Sequence, residues 1–128
     1  MDGRRHRRIK ADIKPRRVYS NTAVRSNTGC AALMRGPVVY CIEDTDNAPG
    51  IRDLRLPRSA DISENRITID PPGEVIVLTA EGLRLRSSDS LYDDVPPVSE
   101  LAALKAIPYF TWGNRGVGAM KVWIPESI

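Results

Sequence analysis

The side chains here that could do bond chemistry are acids, and they fall into two groups. Glu43, Asp44 and Asp46 share one short stretch, and Asp93 and Asp94 are adjacent in another. Glycoside hydrolysis needs two such groups flanking one glycosidic bond, one donating a proton and one acting as nucleophile or base. No second motif in the sequence tells which pair would face a common cleft. Neighbouring carboxylates on a loop ordinarily serve as solvated turn residues, so neither group is expected to be catalytic.

Other constellations are weaker. Asp44-Thr45-Asp46-Asn47 is rich in hard oxygen ligands and invites a calcium reading. As an EF-hand loop it fails: Ala48 holds the fifth position, Pro49 the place of the turn glycine, and Arg55 that of the bidentate Glu. An Asx-type turn, whose side chains bond the loop's own amides, is the favoured alternative. Cys30, Cys41 and His6 are too few and too scattered for a structural zinc site, which takes about four closely spaced ligands. No cofactor is expected in this chain. Cys41 reads as a small buried hydrophobe, and a Cys30–Cys41 disulfide across a hairpin has no supporting pattern. The pair does not fix the redox compartment.

Aromatic residues offer binding instead of catalysis. Tyr109, Trp112 and Trp123, with Asn114 and Arg115 nearby, could stack on a sugar ring and bond its hydroxyls. With one Phe, two Trp and four Tyr in the chain, the fold also needs its aromatics for core or interdomain packing. Arg35 at the Arg-Gly-Pro turn and Arg115 after Gly113 read equally well as loop residues that dock a neighbouring domain. The candidate docking or sugar-contact residues are therefore Arg35, Tyr109, Trp112, Asn114 and Arg115.

The elements that must position these residues are short strands. At 128 residues the chain is the size of one domain. A hydrophobic fraction of 41% supports a real core, while ten prolines and nine glycines interrupt the chain often. The pattern predicts an edge strand over 17–25, a turn at Asn27-Thr28-Gly29, a strand over 30–34 and a central strand over 37–43. On that last strand Val38, Tyr40 and Ile42 face one way, and Val39 and Cys41 the other. Residues 44–50 form a loop, and 51–56 and 66–69 are further strands. Residues 74–79 and 83–86 flank Ala80-Glu81-Gly82 as a hairpin. Residues 99–107 are ambiguous: Leu101, Ala102 and Leu104 suit a short helix capped by Ser99, while 106–111 suits a strand, and 119–124 closes the domain. Many short strands with frequent turns predict an all-β antiparallel sandwich or jelly roll.

Charge is uneven. Residues 1–17 carry eight Lys/Arg against two Asp, a local +6, and the rest carries eleven Lys/Arg against fourteen acids, a local −3. Basicity thus belongs to an N-terminal arm, which could grip phosphates. No aromatic interleaves the basic run and no groove-reading motif follows it, so nucleic acid is not the expected partner. No apolar run approaches the roughly 18 residues of a membrane span. No apolar stretch follows the basic start, so no secretory signal pattern is visible and the compartment stays open.

Two stretches are far more specific than the rest: CAALMRGPVVYCIE over 30–43 and IPYFTWGNRG over 107–116. With DIKPRRVYSNTAV from Asp12, and the second stretch continued to GVGAMKVWIP at Pro125, they resemble the C-terminal β-sandwich region of glycoside hydrolase family 127, the β-L-arabinofuranosidase-like enzymes. The resemblance spans most of the chain, with 54–100 matching loosely. It implies that the chemistry lies in a separate helical domain, where a cysteine held near zinc attacks the sugar and a glutamate supplies the proton. Zinc keeps such a thiol ionised. The adjacent-cysteine motif that carries this step has no counterpart here, and no catalytic residue transfers.

The expected organisation is a basic arm over 1–11, a sandwich over 12–125 that lacks some of its strands, and a tail over 126–128. The implied role is a non-catalytic accessory domain. It would pack on and stabilise the helical catalytic barrel of a parent that hydrolyses terminal β-L-arabinofuranosides. The alternative is a free-standing module that binds glycans through Tyr109 and Trp112, or polyanions through the arm.

Overall fold

Alternating apolar residues and a few placed glycines set the architecture. The computed structural model describes residues 13–69, 73–86, 89–112 and 118–127. In chain order its strands are β1 (Pro15–Val18), β2 (Cys30–Arg35), β3 (Val38–Glu43), β4 (Leu54–Pro57), β5 (Ser63–Ile69), β6 (Gly73–Arg86), β7 (Val98–Pro108), β8 (Met120–Lys121) and β9 (Ile124–Ser127). Single 3-10 turns at Arg25–Asn27, Asp44–Asp46 and Tyr109–Thr111 are the helical elements among the described residues.

Six of the strands close a ring in the order β2-β9-β4-β6-β7-β3, and β3 returns to β2. The closure is a hairpin in which Met34 faces Val39 and Arg35 faces Val38. Gly36, with φ of +58°, opens its two-residue loop, the geometry that suits strand twist. Every pairing is antiparallel except β4 with β9, where Leu56 lies beside Glu126. β1, β5 and β8 attach to the outside of the ring. The all-β expectation holds. Hydrogen bonding runs around a closed barrel, with no separation into two stacked sheets.

β3 is central, as its pattern predicts. Tyr40 and Ile42 point into the barrel among Leu33, Leu54, Leu56, Leu78, Leu104 and Ile124. Cys41 points outward into a smaller cluster with Val75, Val77 and Ile107. Both faces of the strand are therefore apolar because both are covered.

Several boundaries differ from the sequence reading. The edge strand lies at Pro15–Val18, not 17–25, because Asn21 starts a turn: its Oδ1 accepts the Ala23 amide at 2.8 Å and its carbonyl accepts the Val24 amide at 2.9 Å. No hairpin forms at Ala80-Glu81-Gly82. β6 runs straight through it, and Gly82 serves close approach instead, since a Cβ there would lie 3.1 Å from both the Ala102 and Arg55 carbonyl oxygens. The helix reading of 99–107 fails, because the segment pairs with β6 residue by residue, from Val98 opposite Arg86 to Ala106 opposite Leu78, and the strand expected over 106–111 stops at Pro108, where Tyr109–Thr111 turns as a 3-10 helix. The strand expected over 119–124 divides into β8 and β9. Glu126, expected in a tail, lies inside β9 and is buried.

Candidate docking surface

The candidate residues do not gather at one site. Pro108 ends β7, and Tyr109–Thr111 makes one 3-10 turn beyond it. Thr111 is fully buried and its hydroxyl donates to the Pro108 carbonyl at 2.7 Å, which anchors the turn from beneath. The Trp112 amide donates to the Tyr109 carbonyl at 3.0 Å. With Thr111 held inside, the residues around it turn outward: Tyr109 is 45% exposed, Phe110 63% and Trp112 48%. The Tyr109 and Trp112 rings stack with centroids 6.1 Å apart and planes at 21°. The result is an exposed aromatic surface on a rigid turn. Trp123 is half-buried and outside it.

Arg35 is committed elsewhere. Its Nε donates to Glu64 Oε2 at 2.8 Å, tying the β2–β3 turn to β5. Asn114 and Arg115 lie outside the described residues, as does the basic arm over 1–11. Phe110, the most exposed of the three aromatics, escaped the sequence reading. The signal was available in Tyr109-Phe110-Thr111-Trp112, where apolar rings flank one small polar residue.

The acidic groups serve the fold. Asp44 Oδ1 accepts the Ile51 amide and its Oδ2 accepts the Ala119 amide, each at 2.9 Å. The Ala119 and Ile51 amides hold the Asp44 carboxyl below the usual range. Its neighbours leave it room by being glycines, since a Cβ on Gly118 would lie 3.1 Å from Asp44 Cβ. Asp46 lies 3.8 Å from the Lys105 ammonium. Buried Asn47 donates to the Glu43 and Lys105 carbonyls at 2.9 and 3.0 Å and accepts the Lys105 amide at 2.8 Å. Asp93 accepts the Val95 amide at 3.3 Å in a local turn. The bonds of Asp44, Asn47 and Asp93 to backbone groups are of the Asx kind, and Asp93 and Asp94 line a shallow hollow of their own loop, Ser90–Pro97.

Glu126 was missed from sequence altogether. Its side chain is 1% exposed and accepts hydrogen bonds from Arg17 at 2.7 Å, Tyr19 at 2.7 Å and Arg58 at 3.1 Å. Arg17 also donates to the Pro57 and Ala60 carbonyls. Burial pushes the Glu126 carboxyl up, but the bonds from Tyr19, Arg17 and Arg58 outweigh it and leave the group below its ordinary value. The same bond raises the Tyr19 hydroxyl. This clasp joins β1, β4 and β9 across the ring, and no substrate-sized opening reaches the carboxylate.

No disulfide joins Cys30 and Cys41. Among the described residues no three of His, Cys, Asp and Glu stand close enough to hold a metal ion, and Cys41 is enclosed by apolar side chains. No helix among the described residues is long and apolar enough to cross a membrane.

Residues 15–125 match the family model of the glycoside hydrolase family 127 C-terminal domain. The non-reducing end β-L-arabinofuranosidase of Bifidobacterium longum subsp. longum is 32% identical over 122 residues, which are 90% of this chain and 18% of that protein. Among solved structures, a GH127 β-L-arabinofuranosidase from Geobacillus stearothermophilus T6 superposes with a TM-score of 0.83 and 38% identity, covering 90% of this chain and 18% of its own. A second GH127 β-arabinofuranosidase gives 0.77 and 30%, covering 91% and 18%. This chain thus spans about a fifth of the length of the relatives it matches, and it belongs to the glycoside hydrolase family 127 C-terminal domain family.

Proposed function

We propose that this chain is a non-catalytic accessory domain that packs on the helical catalytic barrel of a family-127-like parent and stabilises it. The observation that carries the reading is coverage: nine-tenths of this chain aligns with 18% of a β-L-arabinofuranosidase. The internal use of Asp44, Asn47 and Glu126 supports it, since these three polar groups close the fold. Tyr109, Phe110 and Trp112 supply a rigid apolar contact surface, a cheap one to order because aromatic side chains have few rotamers. In the assembled parent the zinc-held cysteine and the acid belong to the helical part, the substrate is a terminal β-L-arabinofuranoside, and the barrel acts as one layer of a sandwich-like support.

The test is assembly. The helical part of the parent, made without this domain, should bind the chain in trans and gain thermal stability from it. A Phe110→Ala, Trp112→Ala double substitution should weaken that binding at least tenfold. The chain alone should not turn over an arylarabinofuranoside. A helical part equally stable with and without the chain would overturn the reading.

A second reading rests on the stacked Tyr109–Trp112 pair, which would also suit a sugar ring. It requires arabinan binding that is independent of salt and lost in Trp112→Ala alone. A polyanion role for residues 1–11 would instead show affinity that falls steeply with salt.

A further inference from the structure

Most acids of this fold are spent on it. Asp44 binds two backbone amides, Asp46 lies against Lys105, and Glu64, Glu74, Glu100 and Glu126 each pair with an arginine. Asp61 and Glu81 differ. Both are exposed, neither makes a hydrogen bond or ion pair among the described residues, and both line the same hollow.

A mismatch in strand pairing makes that hollow. β4 and β5 share one edge of β6: Arg55 lies opposite Leu83, and Ser63 opposite Thr79. From 55 to 63 is eight residues, while their partners at 83 and 79 are only four apart. β4 meanwhile leaves to run beside β9, with Leu56 next to Glu126. The surplus chain must therefore arch away from β6, as a bulge does on a larger scale. The arch is braced. The Ala60 amide donates to the Pro57 carbonyl at 3.1 Å, and Arg17 donates to the Pro57 and Ala60 carbonyls at 2.9 and 2.7 Å. Ile62 packs back on the barrel core. The walls are thus set before any ligand arrives, which spares the cost of ordering them.

The hollow measures about 580 Å³ and takes Ser59, Asp61 and Ser63 from the arch, with Glu81 and Leu101 from β6 and β7. A second hollow of about 310 Å³ shares Glu81 and Leu101 and reaches Ala103 over the β6–β7 face. Each falls within the roughly 300–1,000 Å³ of small-molecule sites. Glu81 stands opposite Ala103, and Leu83 opposite Leu101, so a free carboxylate and a 70% exposed leucine share one face. Neither lining includes a Lys or Arg.

That set of groups selects its ligand. Ionised carboxylates only accept hydrogen bonds, while serine hydroxyls donate or accept as required. With two acids and no base in the lining, an anion is repelled. A lone cation would leave Leu101 and Ala103 without a partner. A sugar ring meets both demands, with hydroxyls at its edge and a C–H face beside them. We propose that this groove binds a short neutral oligosaccharide. Its hydroxyls donate to Asp61 and Glu81, Ser59 and Ser63 complete the rim, and a C–H face rests on Leu101. Leu101 lies roughly 26 Å along β7 from Tyr109, at about 3.3 Å per residue, so the groove and the aromatic turn can be filled independently. The choice of an arabinose-containing probe rests on the parent's proposed substrate; the groove itself does not.

The test is a titration of the full chain with an arabinan-derived trisaccharide, read by backbone amide shifts. Shifts should centre on 59–63, 80–82 and 101–103, with millimolar affinity that added salt does not change. Glu81→Gln and Asp61→Asn should each weaken binding about tenfold, because hydrogen bonds to charged groups are the strong ones. Neither acid bonds the fold, so both variants should melt as wild type does, which separates lost binding from lost structure. Trp112→Ala should bind the sugar normally, and Glu81→Gln should bind the helical part of the parent normally, so this proposal and the docking reading fail separately. Shifts confined to 109–112, no shifts up to the solubility of the sugar, or unchanged affinity in both acid variants would each overturn the proposal. So would salt-sensitive binding of spermidine at the groove with no response to sugar, an outcome that gives the two acids to a cationic ligand.

Discussion

The seam where β9 meets β2 and β4 and the far end of the β6–β7 arm are built on opposite terms. At the seam, a buried carboxylate is saturated: Glu126 is enclosed and accepts from Arg17, Tyr19 and Arg58. At the arm's end, apolar groups lack cover: Leu91, Tyr92, Val95, Val98 and Leu101 are each at least 66% exposed. Buried polar atoms left unmatched destabilise a fold, whereas clustered apolar atoms left wet mark a surface that expects company. The same contrast separates the Asp44 loop from the aromatic turn beside β7. A domain with buried polar groups such as Glu126 and Asn47 matched inward and apolar groups turned outward is suited to contact.

Breaking the seam should have the largest effect. Glu126→Ala leaves the largely enclosed Arg17 without its partner, and removing one partner of a buried ion pair costs about 3–5 kcal/mol. Arg58 is 63% exposed, which places the expected loss near the low end, about 3 kcal/mol in urea denaturation. Tyr19→Phe removes one bond and should lose about 1 kcal/mol. A Glu126→Ala chain as stable as wild type would mean the seam does not hold the ring shut.

Acid should reach the seam by the same route. Glu126 and Asp44 both sit below their ordinary values of 4.5 and 3.8. A carboxylate lowered in the folded state contributes stability that is complete above its unfolded value and lost as pH falls through its folded value. The urea midpoint should therefore be flat between about pH 7 and 5.5 and fall steeply below about 4.5. In Glu126→Ala the fall should be shallower. An identical pH profile in the variant would assign the acid sensitivity elsewhere.

Asn47 stands between the two regions, a polar device placed on the edge of β7 at Lys105. Asn47→Ala strands the Lys105 amide and two carbonyls, with an expected loss of about 2 kcal/mol. Gly82→Ala comes next: its methyl meets two backbone oxygens at 3.1 Å, neither of which can swing aside. Overpacking of that kind costs about 1–3 kcal/mol, and thermal melts should show it.

What the sequence disclosed follows from range. Cys30–Arg35, Val38–Glu43 and the turn between them were legible because alternation and Gly36-Pro37 act over a few residues. Cys41 as a buried hydrophobe was legible for the same reason. Gly82 was misread because glycine between two apolar runs signals a turn locally. Its real cause, the carbonyls of Arg55 and Ala102, lies in two other strands. The helical spacing of Leu101 and Leu104 misled likewise, since tertiary pairing overrides a short periodicity. Glu126 could not be seen at all, because its partners are 109, 107 and 68 residues away. The aromatic turn was half seen: Tyr109 and Trp112 were marked as candidates, but only the buried Thr111 shows why they must face outward.

The smallest stability effect belongs to the surface expected to matter most for binding. Trp112 is 48% exposed, and its stacking partner Tyr109 is nearly as open. Truncating an exposed ring removes little burial, so Trp112→Ala should shift stability by no more than about 0.5 kcal/mol. The exposed Arg66–Glu74 pair sets a reference for inert surface, because Glu74→Gln should also fall within about 0.5 kcal/mol. Equal stability in the two variants, with helical-domain binding lost in Trp112→Ala alone, would show that the turn is kept for its partner. A melt of Trp112→Ala that falls by several kcal/mol would instead place the ring among the domain's own supports, and the contrast between seam and surface would lose one of its two sides.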